Sequence, residues 1–283
     1  MNKNALKQIL IIICISVCHL ILTCCGNDPA ENGTKEESNS DNEITATTTA
    51  AVTTTAITMT AEPLSDVFIP EDTYKYVAFT FDDGPHNEWT RKIVDKLAQY
   101  DGRATFFVVG DRINEKTAEI IKYATEHKNE IGMHSFTHTH TFDTCDDATY
   151  EREVKYTKNR LYSYAGVSST LLRPPGGLMS AERIQTSEYP VILWSVDSED
   201  WKYKKTTSDE LIAENTGVIV DNVLSSVGEG DIILMHDIYE NTYRAFCVII
   251  ETLYNEGYRF ITVSELLGDS IKSGAKFHSV TLN

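Results

Sequence analysis

The stretch YVAFTFDDGP, residues 76–85, runs six mostly apolar residues into two adjacent carboxylates and then stops at Gly84-Pro85. A short apolar run closed by Gly-Pro reads as a buried strand. Neighbours on a strand point to opposite faces, so Asp82 and Asp83 need not share one environment. Alone, the pair would be a turn signal ahead of Gly-Pro. The remainder of the domain argues for more. ATFFVVG (104–110), EIGMHS (130–135), STLLRPPGG (169–177), YPVILWSVD (189–197), GDIILMH (230–236) and YRFITVSELL (258–267) are further β-like runs. Helical patterns separate them, beginning with residues 87–100, where Asn87 can cap and Ile93, Val94, Leu97 and Ala98 form an apolar stripe. Strands alternating with helices indicate an α/β fold with a parallel sheet. About seven such units, with polar residues at strand ends, predict a distorted (β/α) barrel with its chemistry at the C-terminal mouth.

The rest of the chain bounds the function. It has 283 residues, 41% hydrophobic and 24% charged, with a formal net charge of −17. That composition is globular. The acidic balance argues against nucleic acid, because phosphate binding needs a basic face. It suits a neutral or cationic substrate and a bound cation.

Residues 1–25 read as an export signal: Lys3 and Lys7 precede the apolar run ILIIICISVCHLILTCC. The run is short for a span of roughly 20 apolar residues. LTCCG (22–26) is similar to a bacterial lipoprotein box, with Cys25 as the lipidated residue and Leu22 three positions before it. A plainly cleaved signal and an uncleaved anchor are the other readings. All three place the domain outside the cytoplasmic membrane, tethered or secreted. Residues 26–70, polar and then Thr/Ala-rich, read as a disordered linker. The catalytic domain is expected over 71–270, with 271–283 as a C-terminal tail. Of six Cys, only Cys145 and Cys247 fall in the domain. Two Cys this far apart establish no bridge, and Cys247 reads as a small buried residue.

Polar residues recur at the predicted strand ends: Asp82 and Asp83, His134 and His138 in HSFTH, Arg173 in RPPGG, Asp197, Asp200 and Trp201 in DSEDW, and His236 in LMHD. Imidazoles at i and i+4 can share a metal on one side of a helical turn. His140 leaves a His138–His140 pair open as well. Two His and one carboxylate leave a coordination position for water, as catalytic sites require. Zn²⁺ suits such N/O ligands, and Co²⁺, Ni²⁺, Fe²⁺ or Mn²⁺ follow similar preferences. Taken singly, His236 is a satisfied core histidine, Arg173 a surface ion pair, and Trp194 and Trp201 core. Together, separate strand ends supply complementary roles.

TFDDGP, HSFTH, RPPGG, DSEDW and LMH occur in the order and approximate spacing of the five motifs of the polysaccharide deacetylases, the NodB-like carbohydrate esterases. The resemblance runs from about Tyr74 to Leu267 and implies a distorted barrel. It implies Asp82 as general base, Asp83 with His134 and His138 as metal ligands, and Arg173 as the group holding the base. It implies His236 as general acid, with Asp197 chosen as the carboxylate that orients it. It implies Trp201 lining the groove, and a backbone N–H at Gly176 in the oxyanion hole. The family usually has an aromatic residue where Gly176 stands, so this groove lacks one wall. The function implied is metal-dependent removal of N-acetyl groups from a GlcNAc-containing polymer. Peptidoglycan leads, because a tethered enzyme on a spacer faces the wall. An esterase for O-acetyl groups of xylan or a similar glycan, a chitooligosaccharide deacetylase, and a non-catalytic glycan-binding module are the competing readings. The last predicts decay of the base or ligands, and all six key residues are present. Oligomeric state leaves no trace in the sequence.

Overall fold

The apolar stretch that opens the domain becomes the central strand. The computed structural model describes residues 73–203 and 208–280; the signal segment, Cys25 and the linker lie outside the described residues. In chain order come β1 (Lys75–Asp82), α1 (Trp89–Ala98), β2 (Ala104–Val108), α2 (Glu115–Glu126), β3 (Glu130–Met133) and α3 (Asp147–Arg160). Then follow α4 (Ala181–Thr186), β4 (Val191–Ile192), β5 (Val196–Asp197), α5 (Asp209–Leu224), β6 (Ile232–His236), α6 (Glu240–Asn255), β7 (Tyr258–Phe260), α7 (Val263–Leu267) and β8 (Lys276–Phe277). Among the described residues no helix is long and apolar enough to cross a membrane.

All ladders between these strands are parallel, in the order β3-β2-β1-β6-β5, with β7 pairing the first residues of β1. Single bridges at Leu172, to Met133 and to Val191, carry the sheet from β3 to β4, and β8 flanks β4. This parallel, helix-flanked sheet is the distorted (β/α) barrel. β1 is buried on both faces, as parallel strands under helices are. Its phenylalanines seed the core. Phe79 meets Phe246 edge-to-face at 5.1 Å between centroids, and Phe81 stacks on Phe106 at 5.2 Å.

Two expected strands are weaker than their sequences imply. Leu171–Arg173 contributes only isolated bridges, and YPVILWSVD is split into β4 and β5. One side chain accounts for both. Arg173 donates from Nε to the Ile192 carbonyl (3.0 Å) and from Nη2 to the Leu193 carbonyl (2.9 Å), taking acceptors a ladder would use. Pro174 then removes a donor. Other expectations change too. Asn87 does not cap α1; the amides of Glu88 and Trp89 donate to His86 Nδ1, each at 3.2 Å. Ile93, Val94 and Leu97 are fully buried, whereas Ala98 is exposed and Thr90 takes its place inside. Among the described residues no disulfide joins Cys145 and Cys247, and both are half-buried, so Cys247 is not a fully buried residue. The chain beyond Ser270 pairs through β8.

Candidate active site

β1 ends at the mouth, where Asp82 lies directly beside His236 in the parallel register. The Asp82 carboxylate is nearly out of solvent and receives Nη1 of Arg173 at 2.8 Å. Arg173 is completely buried, and Nη1 also donates to Thr80 Oγ1 at 2.7 Å. Its guanidinium lies over the Phe107 ring, 4.1 Å from the centroid. Burial lowers its pKa, and the neighbouring Asp82 charge opposes that. An arginine held this way fixes one carboxylate oxygen and leaves the other, Oδ2, turned towards His134 Nε2 at 3.6 Å.

Asp83 faces the other way because its backbone turns. Its φ is 73°, a left-handed conformation uncommon outside glycine, and Arg112 donates to its carbonyl. Behind it, a side chain on Gly84 would fall inside the buried Asp237 carboxylate. Asp83 Oδ1 lies 3.1 Å from His138 Nε2 and 3.7 Å from His134 Nε2. His134 Nδ1 donates to the Arg173 carbonyl at 2.8 Å, which leaves its Nε2 lone pair turned inward. Burial lowers the His138 pKa against the pull of Asp83, so this ring too offers a lone pair.

The three ligand atoms lie within 4.8 Å of one another. Asp83 Oδ1 is buried and, among the described residues, has no hydrogen-bond donor. A buried carboxylate oxygen facing two imidazole lone pairs is costly unless a cation sits between them, so the set fits a divalent metal. The two His do not share a helical turn. They bracket a loop in which Ser135 (φ 58°) and His138 (φ 55°) are left-handed. His140 stands beside His138, ring centroids 5.9 Å apart, exposed and outside the cluster.

The partner of His236 is Asp200, not Asp197 as expected. Asp200 Oδ1 accepts from His236 Nδ1 at 2.7 Å, and Oδ2 accepts from the His236 amide (2.8 Å) and Thr242 Oγ1 (2.6 Å). Asp197 instead closes a turn by accepting the Glu199 amide at 2.8 Å. The cause is geometric. Asp197 is the last residue of β5, and a short 3₁₀ turn over Asp200–Tyr203 swings Asp200 inward until it is fully buried. Burial lowers the His236 pKa, but the charge and hydrogen bond of Asp200 outweigh it, with smaller pulls from Asp82 and Asp83, and the net value rises to about 9.

At the rim, Trp201 is 44% exposed, so it is not core. Trp194 packs inward, under Arg173 and against the α-carbon of Gly177. Gly176 is left-handed (φ 64°), and a side chain there would meet nothing within 4 Å, so the missing wall is open space. Sequence reasoning missed Asp200 as a partner and Thr80, Thr242, Asp237 and Glu153 altogether. Asp200, Thr80 and Asp237 lay within the quoted motifs DSEDW, TFDDGP and LMHD, whereas Thr242 and Glu153 carried no signal.

Comparison with known proteins gives the family. The family described as Polysaccharide deacetylase matches residues 70–189. A Bacillus cereus peptidoglycan-N-acetylglucosamine deacetylase is 34% identical over 203 residues, covering 68% of this chain and 88% of that protein. A Listeria monocytogenes peptidoglycan-N-acetylglucosamine deacetylase is 32% identical over 221 residues, covering 77% of this chain. The chain spans 45% of that relative's own length. The structure of a family 4 acetyl xylan esterase from Clostridium thermocellum, in complex with cobalt, superposes with a TM-score of 0.65 at 30% identity, covering 74% of this chain and all of that one. The chain belongs to the polysaccharide deacetylase family.

Proposed function

We propose that the chain is a metal-dependent hydrolase that removes N-acetyl groups from GlcNAc-containing polysaccharide, with peptidoglycan as its foremost substrate. One observation carries this: two held groups, Asp82 on Arg173 and His236 on Asp200, flank the Asp83–His134–His138 cluster. A divalent cation there, Zn²⁺ or another metal of similar preference, would polarise the amide carbonyl and acidify water. Asp82 takes the proton of the attacking water through the oxygen that Arg173 leaves exposed to the mouth. The N–H of Gly176 serves the oxyanion, and the residue's lack of a side chain does not remove that donor. His236, protonated at neutral pH, gives its proton to the leaving amine, and Asp200 fixes its tautomer and stabilises its charge. Trp201 offers a ring at the groove edge.

Two expectations outside the described residues complete the reading. Lipidation at Cys25 would anchor the domain on its linker outside the cytoplasmic membrane, within reach of the wall. The competing reading is O-deacetylation of xylan or a similar glycan. The likeness to an acetyl xylan esterase favours keeping it, since the same groups attack ester and amide carbonyls. Acetate release from peptidoglycan, chitin oligomers and acetylated xylan, with and without chelator, separates these. Chelator-sensitive release from peptidoglycan above the other two is expected. No release from any of them with metal supplied would overturn the enzymatic reading.

A further inference from the structure

The loop that carries His134 and His138 needs something to hold it. Two of its residues, Ser135 and His138, sit in left-handed backbone that side chains disfavour. Part of its polar backbone is bonded to the elements on either side. The carbonyls of Ser135 and Phe136 accept from the amides of Gly110 (3.0 Å) and Asp111 (2.8 Å). The amide of His134 donates to the Val108 carbonyl at 2.9 Å, and that of His138 to Ser135 Oγ at 3.0 Å. The successive amides of Phe136 and Thr137 point together out of the turn. Successive N–H groups in such a turn form a cup for an anion. The cup is filled from α3: Glu153 Oε2 accepts both amides, at 2.9 and 2.7 Å, and Oε1 accepts Thr137 Oγ1 at 3.0 Å.

We propose that Glu153 is a positioning residue of the metal centre: its carboxylate clamps the loop between His134 and His138 and so sets where His138 Nε2 points. Glu153 is 5% exposed and forms no ion pair among the described residues, so these donors set its position. α3 itself is anchored by Val154, buried in the main core, and by Arg160, whose Nη1 donates to the Ile113 carbonyl at 2.7 Å. The clamp therefore ties the half-exposed ligand, His138, to a fixed helix. His134 needs no such help, because the Arg173 carbonyl holds its ring directly. Reach matters here more than charge. Two amides and a hydroxyl must be met at once, and a glutamine of the same length can accept the amides through its carbonyl and donate to Thr137 Oγ1.

The inference rests on the reading of Asp83, His134 and His138 as metal ligands, and its test separates the two. Cobalt is titrated into the full chain and into Glu153→Gln and Glu153→Asp, following the visible absorption of bound Co²⁺, with circular dichroism of the metal-free proteins as a check on folding. The unaltered chain should bind one Co²⁺; a failure to bind overturns the metal reading. Given binding, Glu153→Gln should keep its affinity within about threefold and keep the band shape. Glu153→Asp, one methylene short, should fold, bind at least tenfold more weakly and show a changed band. Equal affinities in all three, an equal loss in both variants, or a larger loss in Glu153→Gln would overturn the clamp.

Discussion

His236 and His138 occupy one mouth and are pulled in opposite directions. Both are substantially buried, and burial alone would lower both. His236 is paired with a fully buried carboxylate, Asp200, which three accepted hydrogen bonds hold in place, and the His236 pKa rises to about 9. His138 faces Asp83, a carboxylate whose oxygen has no donor, and burial prevails, so its pKa falls. The same side chain is thus favoured as a cation on one side and as a neutral ring on the other. The partner's own hydrogen bonding makes the difference.

The contrast breaks most sharply by truncation. His138→Ala should weaken Co²⁺ binding by about a hundredfold or more, because a ligand is lost outright. His236→Ala should leave Co²⁺ binding within about threefold while kcat for acetate release falls by about a thousandfold, the scale of a lost general acid. Parallel metal titrations and kinetics read both. A comparable loss of metal in His236→Ala would erase the distinction between the two histidines.

A smaller, more informative effect should come from Asp200→Asn. The acid must be protonated, so activity in the unaltered chain should hold through neutral pH and fall as pH rises through about 9. Without the Asp200 charge, burial acts on His236 almost unopposed. The falling limb should then move below the ordinary histidine value of 6.5, with kcat at pH 7 down about a hundredfold. Stability follows the same sign. A pKa raised on folding stabilises fully below the unfolded value and is lost as pH rises through the folded one. The pair should therefore support the fold up to about pH 6.5 and lose that support towards pH 9, by at most about 3.5 kcal/mol at one pKa unit per about 1.4 kcal/mol. Kinetic pH profiles and urea melts across that window check both. An unmoved limb in Asp200→Asn would break the assignment of the partner.

The two sides of the mouth were not equally legible in the chain. Asp82, Asp83, His134, Arg173 and His236 could be placed from sequence because each ends or follows a strand, and a parallel barrel brings such ends together. The rhythm of apolar runs was enough for that. Many of the contacts that hold them were hidden. Arg173 reaches back to Ile192 and Leu193 and breaks a predicted strand, which local β-propensity cannot foresee. Glu153 lies mid-helix, 15 positions past His138, in a segment that reads as an ordinary amphipathic face. The choice within DSEDW failed for a related reason. The residue nearest the strand was favoured, whereas the turn after it decides which carboxylate enters.

That choice yields the smallest effect. Asp197 is half-buried, and burial raises its pKa, against a hydrogen bond from the Glu199 amide. Its carboxylate serves the turn in which Glu199 is left-handed (φ 56°), three residues before Lys202. An asparagine keeps the oxygen that accepts this amide and is itself tolerant of turns. Asp197→Asn should therefore lower kcat by no more than about threefold and leave the alkaline limb near pH 9, while Asp200→Asn moves it. Asp197 shares a charge interaction with His236 but no hydrogen bond, and a charge without contact in a partly solvated mouth is weak beside a direct contact. If Asp197→Asn shifted the limb as far as Asp200→Asn does, the control of His236 would belong to the summed acidity of the loop rather than to one buried partner. The opposition between the two histidines would then be one of field, not of contact.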